Sequence, residues 1–258
     1  MFDTILKTLH TIEEEKDVRI LYACESGSRA WGFPSRDSDY DVRFIYVHRQ
    51  DWYLTIDVEH HRDVIERPIS DHLDVSGWDL RKALQLLRKS NPPLLEWLNS
   101  PIVYRNEYDA AAQFQQLLPI YYSPVACMFH YLNMARGNYR DYLRSDEIWV
   151  KKYFYVLRPL LAIKWIEAER GVVPMEFATL VDAIITDATL KHEIEVLLVR
   201  KKAGDELDKG PRNALISQFI EAELTRLETA PKSPAPPRPS KDELNRLFRH
   251  MMTVAWEG

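Results

Sequence analysis

The segment that most restricts what this chain can fold into is SGSRAWGFPSRDSDYD, residues 26–41, held between two strand-like runs. Upstream, Val18-Arg19-Ile20-Leu21-Tyr22-Ala23 is short and apolar, the pattern of a buried strand. Downstream, Tyr40 to His48 (YDVRFIYVH) is rich in β-branched and aromatic residues and reads as the adjacent strand. Gly27-Ser28 falls in a turn directly after the first strand and is expected to open a helix. Asp39-Tyr40-Asp41 follows about ten residues beyond Ser28, at the start of the second strand. Residues i and i+2 of a strand project from one face, so Asp39 and Asp41 are expected to point the same way, with Tyr40 opposite.

Two carboxylates that close repel, and the repulsion raises the pKa of one of them. A divalent cation between them makes the arrangement favourable. Mg²⁺ takes hard oxygen ligands, usually one or two carboxylates plus substrate phosphates. The Gly-Ser turn suits such phosphates, because glycine lets the backbone approach closely and N–H groups at a helix start bind anions. Ser28 adds a hydroxyl donor. A strand, a phosphate-binding turn and an Asp-x-Asp pair together form a layout for nucleotidyl transfer, in which two metals stabilise the attacking and leaving oxygens. A third carboxylate is then required. Asp74, in Leu73-Asp74-Val75, is one candidate. Asp79 is the other, although its place before Leu80-Arg81-Lys82 equally suits a helix N-cap. Taken singly, Gly-Ser pairs are mostly turns and Asp-x-Asp pairs mostly solvated surface; the signal lies in their combination.

GSRAWGFPSRDSDYDVRFIYV resembles the signature of the DNA polymerase β-type nucleotidyltransferases: Gly-Ser, then Asp-hydrophobic-Asp about ten residues on, with Tyr40 in the hydrophobic slot. The stretches DVSGWDLRKALQLLRKSNPPLLEWLNSPIVY and KKYFYVLRPLLAIKW extend the match over about residues 20–170. They are similar to the bacterial and phage members associated with RNA ligase and RNA repair. The resemblance implies Asp39 and Asp41 as metal ligands, Gly27 and Ser28 as phosphate contacts and Asp74 as the third carboxylate. It also implies an α/β (α+β) catalytic domain, a mixed sheet flanked by helices, followed by an all-helical domain.

The rest of the chain fits that division. Helical spacing is seen at Ile5, Leu6, Leu9 and Ile12, and Val64–Glu66 and Asp71–Val75 are read as short strands. After Ser76-Gly77 the pattern becomes helical through Leu87. Asn91-Pro92-Pro93 then opens another helix. Further helices are expected near 107–118, 123–144, 148–170, 175–186, 189–202 and 211–228, with Pro159 a potential kink. The first hundred residues hold 13 basic and 18 acidic side chains, whereas residues 121–170 hold eight basic and five acidic. The expected domains are a catalytic domain over 1–105 and a helical domain over 106–229. A proline-rich linker over 230–240 and a C-terminal helix over 241–258 follow, the helix docking on the body or on a protein partner.

Composition narrows the classes. A net charge of −5 excludes a surface that is basic throughout. No run approaches a membrane-spanning length, and the N-terminus lacks the pattern of a signal peptide. Two cysteines, Cys24 and Cys127, are too few for a disulfide scaffold and fit a reducing cytoplasm. Arg136, Arg140 and Arg144 form a helical stripe with Tyr139 and Tyr142 between them. Lys151, Lys152 and Arg158 follow, able to cradle a triphosphate or an RNA backbone, or simply to be salt-bridged surface. Arg29 and Ser38 are further candidates for phosphate contact. His60, His61 and His72 match no zinc spacing. The expectation is a Mg²⁺-dependent enzyme, with Mn²⁺ as the alternative metal, that moves a nucleoside monophosphate from an NTP such as ATP to an RNA end. Transfer to a protein or small molecule, or binding of nucleotide or RNA without catalysis, are the competing readings.

Overall fold

A computed structural model describes residues 1–145, 147–204, 209–230 and 237–257. They form two compact units. One comprises Met1–Gly27, Asp39–Tyr122 and the chain from Pro237 on; the other comprises Ser28–Ser38 and Ser123–Pro236. The first unit therefore runs past residue 105, and it also takes in the C-terminal helix. The second takes the loop that follows Gly27. Residues 231–236 of the proline-rich segment lie outside the described residues.

The first unit begins with α1 (Phe2–Lys16), whose Ile5, Leu9 and Ile12 are buried. Strand β1 (Val18–Glu25) leads to the one-turn helix α2 (Gly27–Ala30), whose residues from Ser28 on belong to the second unit. Strand β2 (Tyr40–His48) follows, then the short helix α3 (Gln50–Tyr53), β3 (Val64–Glu66) and β4 (Leu73–Asp79). Helices α4 (Leu80–Arg88) and α5 (Pro92–Leu98), strand β5 (Val103–Asn106) and helices α6 (Ala110–Gln116) and α7 (Leu118–Tyr121) complete this stretch. The five strands form one mixed sheet in the order β3-β4-β2-β1-β5. Strand β1 is antiparallel to β2 and β5, β3 is antiparallel to β4, and β2 and β4 run parallel. Ile5, Leu9 and Ile12 share a cluster with Val42, Phe44, Tyr46 and Val75, while Ile45 and Val47 are buried too, so β2 is covered on both faces. Burying its apolar side chains contributes roughly 1.5–3 kcal/mol each.

Two strand readings change. Asp71 and His72 both have positive φ and form a turn, so β4 starts at Leu73. Ser76-Gly77 lies inside β4 and does not break it. A Cβ at Gly77 would stand 2.2 Å from the Phe44 ring, so glycine is there to let a neighbouring strand's aromatic ring pack over it. Strand β5 had no separate sequence signal.

The second unit contains α8 (Pro124–Tyr142), β6 (Glu147–Trp149), α9 (Val150–Glu167), α10 (Phe177–Ile184), α11 (Ala188–Ala203), β7 (Lys209–Pro211) and α12 (Ala214–Thr229). It is not wholly helical: β6 and β7 pair as a small antiparallel ribbon. Phe33 anchors the 28–38 loop here, its ring 4.7 Å from Phe154 and 5.5 Å from Phe177. Buried Lys201 donates to Ser35 Oγ at 2.7 Å. Pro159 is accommodated within α9.

The chain returns to the first unit with α13 (Asp242–Glu257), which packs on α4, β1 and β2 and buries Leu244, Leu247, Met251 and Ala255. Trp256 Nε1 donates to the His48 carbonyl at 3.0 Å, and the Arg49 guanidinium lies 4.0 Å from the Trp256 ring centre. Among the described residues no helix is long and apolar enough to cross a membrane.

Candidate active site

Parallel pairing of β2 with β4 sets Asp41 directly against Asp74. Arg43, two residues further along β2 and therefore on the same face, spans the pair. Its Nη2 donates to Asp41 Oδ1 at 3.1 Å and to Asp74 Oδ2 at 2.7 Å, and its Nη1 donates to the Asp74 carbonyl at 3.0 Å. Burial pushes the Asp41 pKa up from the ordinary carboxylate value. Arg43 opposes this shift, and the Asp74 and Asp39 carboxylates add to it. Burial, with the neighbouring acids adding to it, thus disfavours the ionised form of Asp41 even with an arginine in place.

The backbone around Asp41 is tightly fixed. Its N–H donates to Glu25 Oε1 at 2.8 Å, and its carbonyl accepts from Ser26 N at 2.8 Å. Glu25 is fully buried at the end of β1, where its other carboxylate oxygen accepts from the Tyr104 hydroxyl. Gly27 follows with φ +58°, a conformation that L side chains rarely adopt. A Cβ there would lie 2.0 Å from Asp41 Oδ2, so only glycine lets the turn sit against this carboxylate.

Asp39 precedes β2 and meets His72 Nδ1 at 3.1 Å; the His72 carbonyl in turn accepts from Tyr40 N at 2.7 Å. Asp79 is at the far end of β4. It is buried, caps α4 by accepting from Arg81 N at 2.8 Å, and accepts from the Tyr53 hydroxyl at 2.6 Å. The two candidates for the third carboxylate are thereby separated: Asp74 stands beside Asp41, whereas Asp79 is engaged as a cap. Among the described residues, no group of three His, Cys, Asp or Glu side chains is gathered closely enough to hold a metal ion. The local donors are nonetheless carboxylate oxygens, the type that Mg²⁺ prefers.

Beside Asp74 opens a groove of about 640 Å³, lined among others by Arg43, Arg67, Ser76, Trp78 and Trp97. Trp78 and Trp97 stack with ring centres 3.7 Å apart.

The other expected contacts belong to the second unit, with Ser28 at the start of its 28–38 loop. Arg29 Nη2 donates to the Ser38 carbonyl at 2.8 Å, and the Ser38 hydroxyl bonds Ser35 N and Ser35 Oγ. Arg29 and Ser38 therefore shape their own loop. Lys152 Nζ sits 3.7 Å from the Tyr142 ring centre and 4.8 Å from that of Tyr155; Lys151 Nζ lies 5.8 Å from that of Trp149. Arg158 is 1% exposed. It donates to the Pro174 and Met175 carbonyls and lies over Trp31, so it holds this unit's core together and is not at a surface. The arginine stripe is partly neutralised, with Arg136 against Glu228 at 3.4 Å and Arg140 against Asp141 at 2.8 Å.

The sequence reading missed Arg43, Glu25 and His72 as neighbours of the acid pair. Arg43 carried a usable signal, the same two-residue alternation that groups Asp39 with Asp41. Glu25 carried none, since its partner Tyr104 is 79 residues away.

A family model described as RlaP, the RNA repair pathway DNA polymerase beta family, matches residues 1–250. The uncharacterized protein YcgL of Bacillus subtilis (strain 168) is 50% identical over 258 residues, covering 100% of this chain and 98% of its own. A crystal structure of a nucleotidyltransferase-like protein from Exiguobacterium sibiricum 255-15 aligns with 97% of this chain and 77% of its own. Its 11% identity and TM-score of 0.31 are too low to bear on the argument.

Proposed function

The chain belongs to the RNA repair pathway DNA polymerase beta family, and is thus a polymerase β-like nucleotidyltransferase; from that premise we propose that it transfers a nucleoside monophosphate from an NTP to the hydroxyl of an RNA end, releasing pyrophosphate. The observation that carries this reading is the Asp41–Asp74 pairing across two parallel strands, with Arg43 bound to both. Asp39, Asp41 and Asp74 are the residues that would hold Mg²⁺, together with phosphate oxygens of the substrate, since the three carboxylates are not by themselves gathered closely enough to do so. Their oxygen donors suit it, and the upward shift of Asp41 marks a place where added positive charge is favourable. Bound there, the metal supplies charge neutralisation at the triphosphate and at the attacking oxygen.

The protein's own residues do the positioning. Glu25 and Ser26 fix the backbone of Asp41, and Gly27 leaves room for its carboxylate. Arg43 holds Asp74 through Oδ2, so the other Asp74 oxygen is the one assigned to take the proton of the acceptor hydroxyl as it attacks the α-phosphorus. The bond from that phosphorus to the bridging oxygen breaks, and pyrophosphate leaves. Gly27 and Ser28 are assigned to the β- and γ-phosphates. The groove beside Asp74, with its arginines and stacked tryptophans, is assigned to the acceptor end. Two buried thiols, Cys24 and Cys127, suit a cytoplasmic setting.

The test is incubation with α-labelled NTPs, Mg²⁺ and RNA bearing a free 3′-hydroxyl. Label is expected on RNA, to vanish with EDTA and with Asp41→Ala. Label on protein would redirect the acceptor, and nucleotide binding without pyrophosphate release would overturn the reaction.

A further inference from the structure

A basic surface of the first unit lies away from the acid pair, beside α4. A groove of about 490 Å³ runs between α4 and the arm formed by residues 237–248, and five of its lining residues are cations: Arg81, Arg88, Lys89, Arg238 and Lys241. No acidic residue lines it. Among the described residues none of the five makes an ion pair within 4 Å. Arg88 Nε donates to the Pro239 carbonyl at 3.0 Å and Arg81 Nη1 to the Val58 carbonyl at 3.3 Å, both uncharged acceptors. Of the acids in the arm's first turn, Glu243 is paired with Arg246 at 2.9 Å, and Asp242, which accepts from Ser240 Oγ at 2.5 Å, does not line the groove. Arg81 is partly offset by the Asp79 carboxylate, whereas Arg88, Lys89, Arg238 and Lys241 have no such acid beside them among the described residues; in a chain of net charge −5, cations gathered around one groove repel each other, and an anionic occupant relieves the repulsion. The arginine stripe on α8 differs, because two of its members already face carboxylates.

We propose that this groove binds the phosphodiester backbone of the acceptor RNA away from its reacting end; the proposal rests on the reading that the acceptor is RNA. The charge is spread out: Arg81 and Arg88 share one face of α4 two turns apart, about 10 Å, and Arg238 and Lys241 add charge from the arm. A line of charges suits a polyanionic strand better than one phosphate. RNA is favoured over an acidic peptide because the same unit carries the carboxylates to which the RNA end must come. The groove also gives the C-terminal arm a role. Arg88 to Pro239 and the Tyr121 hydroxyl to the Ser240 carbonyl, at 2.7 Å, hold the arm's start so that Arg238 and Lys241 form one wall.

The test uses the full chain with the triple charge reversal Lys89→Glu, Arg238→Glu, Lys241→Glu. All three side chains are exposed and stand outside the hydrogen bonds that fix the arm. A labelled single-stranded RNA of about 20 nucleotides is titrated without NTP over a salt series, and a labelled poly-glutamate peptide is titrated in parallel. RNA affinity is expected to fall about ten-fold or more and the log–log salt slope to shrink by about 2, the loss of three phosphate contacts. The neutral triple variant to Gln should show a smaller fall in affinity with a similar change in slope. Pyrophosphate release with a dinucleotide acceptor should be unchanged. Unaltered RNA affinity and slope, loss of peptide binding alone, or no RNA binding by the wild type would each overturn the groove assignment. RNA that binds the wild type, binds the variant weakly and is extended by neither supports the groove and overturns the transfer reaction instead.

Discussion

Strands β2 and β4 run side by side, and their two ends treat the same residue type in opposite ways. At their starts, Asp41 and Asp74 are part-exposed, crowded by each other and by Asp39, and share a single arginine. At their ends, Asp79 is 1% exposed, yet both carboxylate oxygens have a donor, Tyr53 on one and the α4 backbone on the other. The first arrangement leaves charge to be met by something the chain does not provide. The second closes on itself, extended by His48 N donating to the Tyr53 hydroxyl at 3.0 Å and by Phe248 of α13 packed edge-on against Tyr53. An aspartate's role here is set by whether its surroundings complete its bonding, not by its place on the strand.

The sharpest way to break this contrast is to remove one aspartate from each end. Asp74→Ala is expected to lower NTP turnover by roughly 10²–10⁴-fold, the usual range for losing a group that handles the reacting proton, with little change in thermal midpoint. Pyrophosphate release per folded molecule measures it, and normal turnover would transfer the role elsewhere. Asp79→Ala should do the reverse. It removes the α4 cap and leaves the buried Tyr53 hydroxyl without its acceptor, a loss of about 2–4 kcal/mol in stability. Turnover per folded molecule should hold. A variant as stable as the wild type in a urea titration would show that the far end is not a structural clasp.

The same contrast explains what could be read from the amino-acid sequence. The start of β2 was legible because alternation and the Gly-Ser turn are local patterns, and β2 runs from Tyr40 to His48 as its composition indicates. Asp79 was legible as a cap from the helical run behind it. The start and end of β4 were not, because they depend on a left-handed turn at Asp71-His72 and on the Phe44 ring beside Gly77, a contact between strands. Arg158 misled for a related reason. Its position seven residues after Lys151 suggests a shared basic face, but the carbonyls that bury it come from Pro174 and Met175, in the segment after α9. Long-range partners decide which charges are enclosed, and local spacing does not carry that information.

The smallest expected effect is also the most specific to the closed end. Burial pushes the Asp79 pKa up to about 6, and burial pushes the His48 pKa down to about 4. Between pH 4 and 6 the folded state thus keeps a proton on Asp79 that the unfolded state has lost, and this contribution to stability declines as pH rises. Over nearly the same window the unfolded state holds a proton on His48 that the folded state does not, so that contribution grows as pH rises. The two slopes oppose each other. Asp79→Asn keeps one acceptor oxygen in place of two, which costs one hydrogen bond at every pH, and it removes the Asp79 slope, exposing that of His48. Relative to the wild type the variant should therefore fare better near pH 7 than near pH 4, a swing of about 2–3 kcal/mol at full size on top of a constant offset. His48→Gln should show the opposite trend, and the double variant should be close to parallel with the wild type. Stability differences measured by urea titration across this range decide it; a pH-independent offset alone for Asp79→Asn would mean that the buried carboxylate ionises as freely as one in water.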